Sequence, residues 1–260
     1  MRTAVIIGSG NVAEALARAL PGCGVRVVQI LARNRQRGGL LASLAGCTHA
    51  DDPRQAAAAD IYIAAVSDRA IGEVLSPLEI PESAVVVHVS GGQPMEVIPA
   101  KFAHRGVLYP LQTFTAGREV DFAEIPLFLE AEDEATASRL EAFARRLSHN
   151  VGFASSGQRA AIHAAGVFAC NFANAMYAAG SEVAATAGMP FGILKPLIAE
   201  TARTACECSD PQRVQTGPAV RGDTTTMERH LRLLAESGRG ELSDIYKLVS
   251  EYIERYGKEL

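Results

Sequence analysis

The stretch TAVIIGSGNVA, residues 3–13, decides the fold. The apolar, β-branched run at 3–7 predicts a buried strand, and the apolar spacing over 12–20 predicts a helix directly after it. The glycines between these elements belong to the pattern G-x-G-x-x-A. A strand, a glycine turn and a helix in this order are the context in which the pattern marks a dinucleotide phosphate site.

Each position of the pattern has a physical reason. Gly8 permits the tight turn, Gly10 lets backbone amides approach a pyrophosphate, and Ala13 lets the helix pack close to the sheet. The positive end of the helix then faces the phosphate charge. We therefore expect a dinucleotide to be bound by five consecutive residues: Gly8, Ser9, Gly10, Asn11 and Val12. A glycine-rich turn that binds nothing is the alternative.

The remainder of the first half alternates short apolar runs with helical patterns, which is typical of an α/β protein with a doubly wound, mostly parallel Rossmann sheet. Further strands are predicted at 26–31, 61–66, 85–89, 107–111 and 127–130, and helical segments at 36–44, 53–59, 69–75 and 132–147. Later segments are all helical, at 158–187, 191–206, 224–236 and 241–256, with Asp223 as a predicted N-cap. We expect a Rossmann domain over 1–153 and a helical domain over 154–260.

The end of the second strand discriminates between cofactors. NAD sites usually carry an acid there, which binds the ribose hydroxyls. Here the sequence is Ala32-Arg33-Asn34-Arg35, and the next acid is Asp51. Two guanidinium groups and an amide suit a 2′-phosphate, because arginine binds phosphate oxygens bidentately. The sequence predicts NADP, bound at this turn by Arg33, Asn34 and Arg35, and a solvated basic turn is the alternative.

Polar clusters follow three strands, at 66–68, 88–92 and 109–114. Ligands of open α/β sheets lie beyond the carboxyl ends of the strands, so these clusters predict a shared site. We expect Val66 and Ser67 to bind the cofactor, Ser90 to meet a substrate oxygen and Gln112 to bind substrate. His88 lies within an apolar run and is predicted to be a hydrogen-bonded core histidine. Ordinary turn chemistry is the alternative for each cluster.

The long helix supplies further polar residues. His163, Cys170 and Asn174 are spaced to share one face of an α-helix, with Asn171 close to that line. We predict that His163 is a general acid, that Asn171 lies at the reacting carbon and that Asn174 orients the substrate. Arg221, in a loop rich in Gly and Pro, is predicted to bind a substrate anion. Helix–helix hydrogen bonds, and a connector with no ligand, are the alternatives.

Composition excludes several classes of protein. The 260 residues carry a formal net charge of -4, whereas nucleic-acid proteins normally have a basic excess. Five cysteines without paired spacing predict reduced thiols and no metal site. The Ala-rich stretch 160–187 is interrupted by polar residues and predicts a buried helix, not a membrane span. Met1 leads directly into the first strand, so we expect a cytoplasmic protein without a signal peptide.

The sequence resembles a bacterial family of NADP oxidoreductases that join a Rossmann-like domain to a helical C-terminal domain of unknown function. The matching stretches run across nearly the whole chain: GSGNVAEALARAL (8–20), AAVSDRAI (64–71), VVHVSGG (86–92), PLQTF (110–114), HAAGVFACNFAN (163–174), PLIAET (196–201) and QTGPAVRGD (215–223). The last three are specific together. The resemblance implies an enzyme that acts on a small molecule with NADP.

More distantly the family is similar to 6-phosphogluconate and β-hydroxyacid dehydrogenases, ketopantoate reductase and pyrroline-5-carboxylate reductase. Those enzymes transfer hydride between a nicotinamide and a carbonyl, alcohol or imine carbon. In the β-hydroxyacid enzymes a lysine on the first helix after the Rossmann domain is the acid–base group, followed one turn later by an asparagine. Here His163 takes the lysine position and Val167 the asparagine position. Tyr109 stands where the family is expected to carry histidine. These departures from the family pattern bear on the catalytic mechanism that the resemblance implies and not on the cofactor-binding fold.

Three hypotheses follow from the sequence. The first is an NADP-dependent oxidoreductase with a small, anionic substrate. The second is a non-catalytic NADP-binding sensor, favoured by the missing lysine. The third, by analogy with the distant relatives, is an enzyme that exchanges hydride with a reduced deazaflavin. The apolar first helix of the C-terminal domain also predicts a homodimer formed through these domains.

Overall fold

The computed structural model describes the backbone of residues 1–257 and the side chains of residues 1–255. The chain forms two compact units, Met1–Ala169 and Cys170–Leu260. The first unit contains a sheet of eight strands and the helices packed on it, and the second is helical. This confirms the α/β class with a Rossmann-like sheet followed by a helical region.

The strands are β1 (Thr3–Ile7), β2 (Arg26–Leu31), β3 (Thr48–Ala50), β4 (Ile61–Ala64), β5 (Val85–His88), β6 (His104–Pro110), β7 (Leu127–Ala131) and β8 (Val151–Phe153). Their order across the sheet is β3-β2-β1-β4-β5-β6-β7-β8. Every neighbouring pair is parallel except β6 and β7, which are antiparallel. The chain leaves β1 toward β2 on one side and continues through β4 on the other. A crevice therefore opens at the carboxyl end of β1, where ligands bind in doubly wound sheets.

The helices of the first unit are α1 (Asn11–Gly22), α2 (Arg35–Ala45), α3 (Ile71–Leu75), α4 (Glu134–Ala144) and α5 (Ser156–Gly166). Those of the second are α6 (Ala173–Thr186), α7 (Lys195–Glu207), α8 (Thr224–Glu236) and α9 (Gly240–Gly257). The predicted N-cap of α8 is confirmed, since the side chain of Asp223 accepts the N–H of Thr226 at 3.0 Å. Helix α5 belongs to the first compact unit, although it lies beyond the domain boundary that the sequence predicts after residue 153.

Alternation along the parallel strands explains why the sheet is buried on both faces. In β1, Ala4 and Ile6 pack into the core on one face, whereas Val5 and Ile7 pack into the core on the other. All four side chains are at most 2% exposed. Strands covered by helices on both faces read as continuous apolar runs, which is why these strands are recognisable in the sequence.

Two sequence predictions are corrected by the structure. The helical segment predicted at 53–59 is a single 3₁₀ turn, Pro53–Gln55, begun by the side chain of Asp52. The helix predicted at 158–187 contains a π-helical segment, Val167–Phe172. A π-turn takes more residues than an α-turn, so the α-helical spacing argument for His163, Cys170 and Asn174 does not carry across it.

Candidate functional site

A cleft of about 710 Å³ opens at the carboxyl ends of β1, β2 and β4. It is lined by most of the cofactor-binding residues that the sequence predicts, namely Gly8, Ser9, Gly10, Asn11, Val12, Arg33, Asn34, Val66 and Ser67. Gln112, predicted to bind substrate, also lines it. The cleft therefore joins the glycine loop to the basic turn after β2, as binding of one dinucleotide requires.

The glycine loop contains Gly8 and Gly10, and the space around a side chain would differ at the two positions. Gly8 has a φ of 121°, and a methyl group on it would lie 2.1 Å from the carbonyl oxygen of Ala65. Its N–H donates to the carbonyl of Leu31 at 2.7 Å, which ties the loop to β2. A methyl group on Gly10 would meet no atom within 4 Å. Gly8 is thus needed by the fold, whereas the backbone at Gly10 borders open space in the cleft.

A buried acidic residue holds the glycine loop. Glu14, in the first turn of α1, pairs with Arg18 at 3.0 Å and with Arg37 of α2. Arg37 Nε also donates to the carbonyl oxygen of Ser9 at 3.2 Å. Burial opposes ionisation of Glu14, but hydrogen bonds from Arg18 and the N–H of Gly117, with the charge of Arg37, hold its pKa below the usual value. The sequence contains no signal of this network, because Glu14, Arg18 and Arg37 are ordinary helix residues in spacing and type.

The three polar residues of the basic turn after β2, at 33–35, make different contacts. Asn34 caps α2, since its side-chain oxygen accepts the N–H of Arg37 at 2.9 Å. Arg33 is exposed and lines the cleft. Arg35 does not line it, and its Nε lies 2.5 Å from a carboxylate oxygen of Asp51. The position of Arg35 thus differs from that of the other two residues predicted to bind NADP.

Residues 89–94, which follow β5 and are called the Ser90 loop below, are held by hydrogen bonds to His88. His88 is fully buried; its Nδ1 accepts the N–H of Ser90 at 3.1 Å, and its Nε2 lies 3.3 Å from the carbonyl oxygen of Pro94. Ser90 Oγ accepts the N–H groups of Gly92 and Gln93 at 3.2 and 3.1 Å. His88 is thus the hydrogen-bonded core histidine that the sequence predicts.

Arg159 of α5 also binds the backbone of this loop. Its guanidinium has no exposed surface and pairs with Glu130 of β7. Arg159 Nε donates to the carbonyl oxygen of Ser90 at 3.3 Å, and Arg159 Nη2 donates to the carbonyl oxygen of Gln93 at 2.5 Å. Glu130 also accepts the hydroxyl of Ser156 at 2.9 Å. Arg159 was not singled out from the sequence, because its partners lie far away along the chain.

His163 lies beside this loop in the first unit. Its Nδ1 is 3.1 Å from the hydroxyl of Tyr109 of β6, and the two rings meet edge to face. A methyl group on Gly91 would lie 2.6 Å from the Tyr109 ring and 2.9 Å from His163 Cβ. Burial raises the pKa of Tyr109, opposed by the charge of Arg159. Ser90, Tyr109 and His163 are therefore gathered around one glycine.

The other predicted site residues belong to the second unit. Asn171 lies in the π-helical segment, Asn174 in the first turn of α6 and Arg221 in the loop before α8, and all three are exposed. Their meeting with Ser90 and His163 stays a prediction. Among residues 1–257 no group of three or more His, Cys, Asp or Glu side chains is placed to hold a metal ion. None of the helices in this described part is both long and apolar enough to cross a bilayer.

Comparison with known proteins places this arrangement in a family. Residues 3–92 match the model of the family "NADP oxidoreductase coenzyme F420-dependent", and residues 125–253 match that of a domain of unknown function, DUF2520. No protein of curated function matches the sequence.

Solved structures extend the comparison to the whole chain. A Bacteroides fragilis protein described as a "putative NADP oxidoreductase" is 39% identical with a TM-score of 0.89, over 97% of this chain and 98% of that one. An imine reductase from Streptomyces aurantiacus is 17% identical with a TM-score of 0.68, over 99% and 95%. A reductive aminase from Aspergillus terreus, solved with NADPH and ethyl levulinate, is 14% identical with a TM-score of 0.71, over 100% and 94%. The last two share the fold, whereas the first shows that this chain belongs to the family of NADP oxidoreductases that carry a helical DUF2520 domain after the Rossmann domain.

Proposed function

We propose that this protein is an NADP-dependent oxidoreductase that transfers hydride between the nicotinamide and a small, anionic carbonyl, alcohol or imine substrate. The observation that carries the proposal is the cleft, which runs from the glycine loop to Arg33 and also reaches Val89, the residue before Ser90. Cofactor site and candidate reaction site thus adjoin at Val89. The fold shared with an imine reductase and a reductive aminase supports the substrate classes.

The residues of the cleft fit the cofactor. Gly10 leaves room for a pyrophosphate beside the first turn of α1, whose free N–H groups favour an anion. Arg33 and the start of α2 add positive charge where a 2′-phosphate would be bound. When bound, NADPH supplies the hydride, and the protein supplies orientation and electrostatics.

The chain's own groups account for the proton. Ser90 Oγ accepts two backbone N–H groups, so its own hydroxyl proton can be donated to a substrate oxygen or nitrogen. His163 is exposed, and its Nδ1 is occupied by the Tyr109 hydroxyl, which leaves Nε2 for a substrate. We assign proton donation to His163 and substrate orientation to Ser90. Asn171, Asn174 and Arg221 keep their predicted roles in binding and orienting an anionic substrate.

The test is NADPH oxidation across a panel of keto acids, aldehydes and cyclic imines, followed by the loss of NADPH absorbance. We expect turnover with at least one anionic member. His163→Ala should lower turnover with little change in NADPH affinity, because His163 does not line the cofactor cleft. Tight NADPH binding with no turnover on any member would support the sensor hypothesis instead.

A second candidate is hydride exchange between NADP and a reduced deazaflavin. It is favoured by one observation, the match of residues 3–92 to a family described as coenzyme F420-dependent. Incubating the protein with NADPH and oxidised coenzyme F420 tests it directly. Reduction of the deazaflavin would support this candidate, and its absence alongside turnover of an imine or keto acid would exclude it.

We also propose that the protein is a homodimer formed through its helical domains. Within the described part of the second unit, Ala219 and Leu234 are the hydrophobic residues that are buried. Large apolar side chains such as Leu197 and Leu248 are 64% and 67% exposed. A helical unit of this composition needs a second apolar surface to form a core, and a second copy supplies one by symmetry.

Light scattering tests the assembly. The wild-type protein should have the mass of a dimer, and Leu248→Lys should shift it toward monomer. Leu40→Lys is a matched control, because Leu40 of α2 is 58% exposed in the first unit. A concentration-independent monomer for the wild type would rule out the dimer.

A further inference from the structure

A carboxylate lies at the basic end of the cofactor cleft. Asp51 directly follows β3, which is parallel to β2 with Leu31 opposite Ala50. The carboxyl ends of these strands therefore meet at one edge, and Asp51 lines the cleft together with Arg33. A carboxylate that faces the adenosine ribose accepts a hydrogen bond from an unphosphorylated hydroxyl but repels a 2′-phosphate.

Arg35 neutralises this carboxylate. Arg35 Nε lies 2.5 Å from Asp51 Oδ2, and the hydrogen bond from Arg35 lowers the pKa of Asp51, so the Asp51 carboxylate is ionised at neutral pH. The Arg35 side chain is 82% exposed and does not line the cleft, whereas that of Asp51 is 35% exposed and does. The arginine thus approaches its partner from outside the cofactor cleft.

The neighbouring arginines have different tasks. Arg37 is bound to Glu14 and to the carbonyl oxygen of Ser9, so its charge is committed to the glycine loop. Arg33 lines the cleft, and no hydrogen bond or ion pair joins its guanidinium to the described side chains of residues 1–255 or to the described backbone. Arg33 is therefore the cation at this turn whose guanidinium can bind a phosphate without giving up a partner.

We propose that Asp51 and Arg35 together set the discrimination between NADPH and NADH, with Arg35 acting as the counter-ion that masks Asp51 and Arg33 as the group that binds the 2′-phosphate. This inference rests on the proposed NADP site. It differs from the expectation that Arg35 contacts the phosphate itself. Removing Arg35 would expose a carboxylate that favours NADH, and removing Asp51 as well would abolish the need for Arg35.

A double-mutant cycle measured by calorimetric titration with NADPH and NADH tests the inference. Arg35→Gln should weaken NADPH binding about tenfold without weakening NADH, since one unpaired negative charge then faces a phosphate. Asp51→Asn should leave NADPH at least as tight and weaken NADH. The double variant should bind NADPH within about twofold of the wild type, and the effect of Arg35→Gln should shrink at high salt.

Arg145→Gln is the matched control. Arg145 is in an exposed ion pair with Glu141 on α4, 2.7 Å apart, and its replacement changes the net charge equally. It should not alter either affinity. A double variant as weak for NADPH as Arg35→Gln alone would overturn the inference, because Arg35 would then contact the phosphate directly. Failure of the wild type to bind NADPH would instead contradict the proposed function, so the two failures are distinguishable.

Discussion

Acidification should destabilise the protein through His88. The ring is fully buried and hydrogen-bonded to the Ser90 loop. Burial, together with the charge of Arg159, lowers the pKa of His88 from 6.5 to about 4. The folded protein therefore keeps this ring neutral at a pH at which the unfolded chain protonates it.

The magnitude follows from proton linkage. Because the folded pKa lies below the unfolded value, the stability is fully present above pH 6.5 and is lost as the pH falls toward 4. At about 1.4 kcal/mol per pKa unit, the whole shift is worth about 3 kcal/mol, and about 2 kcal/mol of it is lost by about pH 5.

Denaturant unfolding of the wild type and of His88→Asn measures this term. The chain has no tryptophan, so far-UV circular dichroism is the probe. Between about pH 8 and about pH 5 the wild type should lose about 2 kcal/mol more than the variant, because the asparagine has no proton to bind. Carboxylates titrate in both proteins and cancel in the difference. Parallel pH curves for the two proteins would refute a neutral, buried His88.

Three further outcomes follow from the site. Gly8→Ala should impair folding, because its methyl group would lie 2.1 Å from a carbonyl oxygen, whereas Gly10→Ala should fold normally and weaken NADPH in a titration. Arg159→Met should lower the free energy of unfolding by about 3–5 kcal/mol, since it removes the guanidinium partner of the Glu130 carboxylate and of the Ser90 and Gln93 carbonyl groups. A loss below about 1 kcal/mol would contradict a stabilising role of Arg159. Ser90→Ala and His163→Ala should each reduce kcat, because each removes a proton donor or a group that orients the substrate. The NADPH dissociation constant should change by less than about threefold. An unchanged kcat in both variants would show that neither side chain takes part in the reaction.

The elements recognised from the sequence are those with strong local signals. Strands β1 and β2 begin and end at the predicted residues, because buried parallel strands form continuous apolar runs bounded by glycine or polar residues. Strands β3 and β8 have three residues each, too few to establish a periodicity, and were not predicted. Their place in the sheet depends on pairing with β2 and β7, which is a tertiary effect.

In the candidate site, too, local motifs are visible in the sequence whereas contacts between distant residues are not. The glycine loop is a local motif, and the residues that the sequence predicts to bind the cofactor there do line the cleft, whereas their binding of the cofactor stays a prediction. The pair of Arg159 and Glu130, and that of Tyr109 and His163, join residues on separate elements, and no spacing rule connects them. The charge of Arg35 was visible in the sequence, but its partner on the neighbouring strand end was not.

We propose above that the cleft beside β1 binds NADP in preference to NAD. Calorimetric titration of the wild-type protein with NADPH and with NADH measures this preference. We expect one NADPH per chain, bound at least about tenfold more tightly than NADH, since Arg33 would bind the 2′-phosphate bidentately and the ion pair of Asp51 and Arg35 would remove the repulsion. Equal affinities, tighter binding of NADH, or no binding of either nucleotide would contradict it.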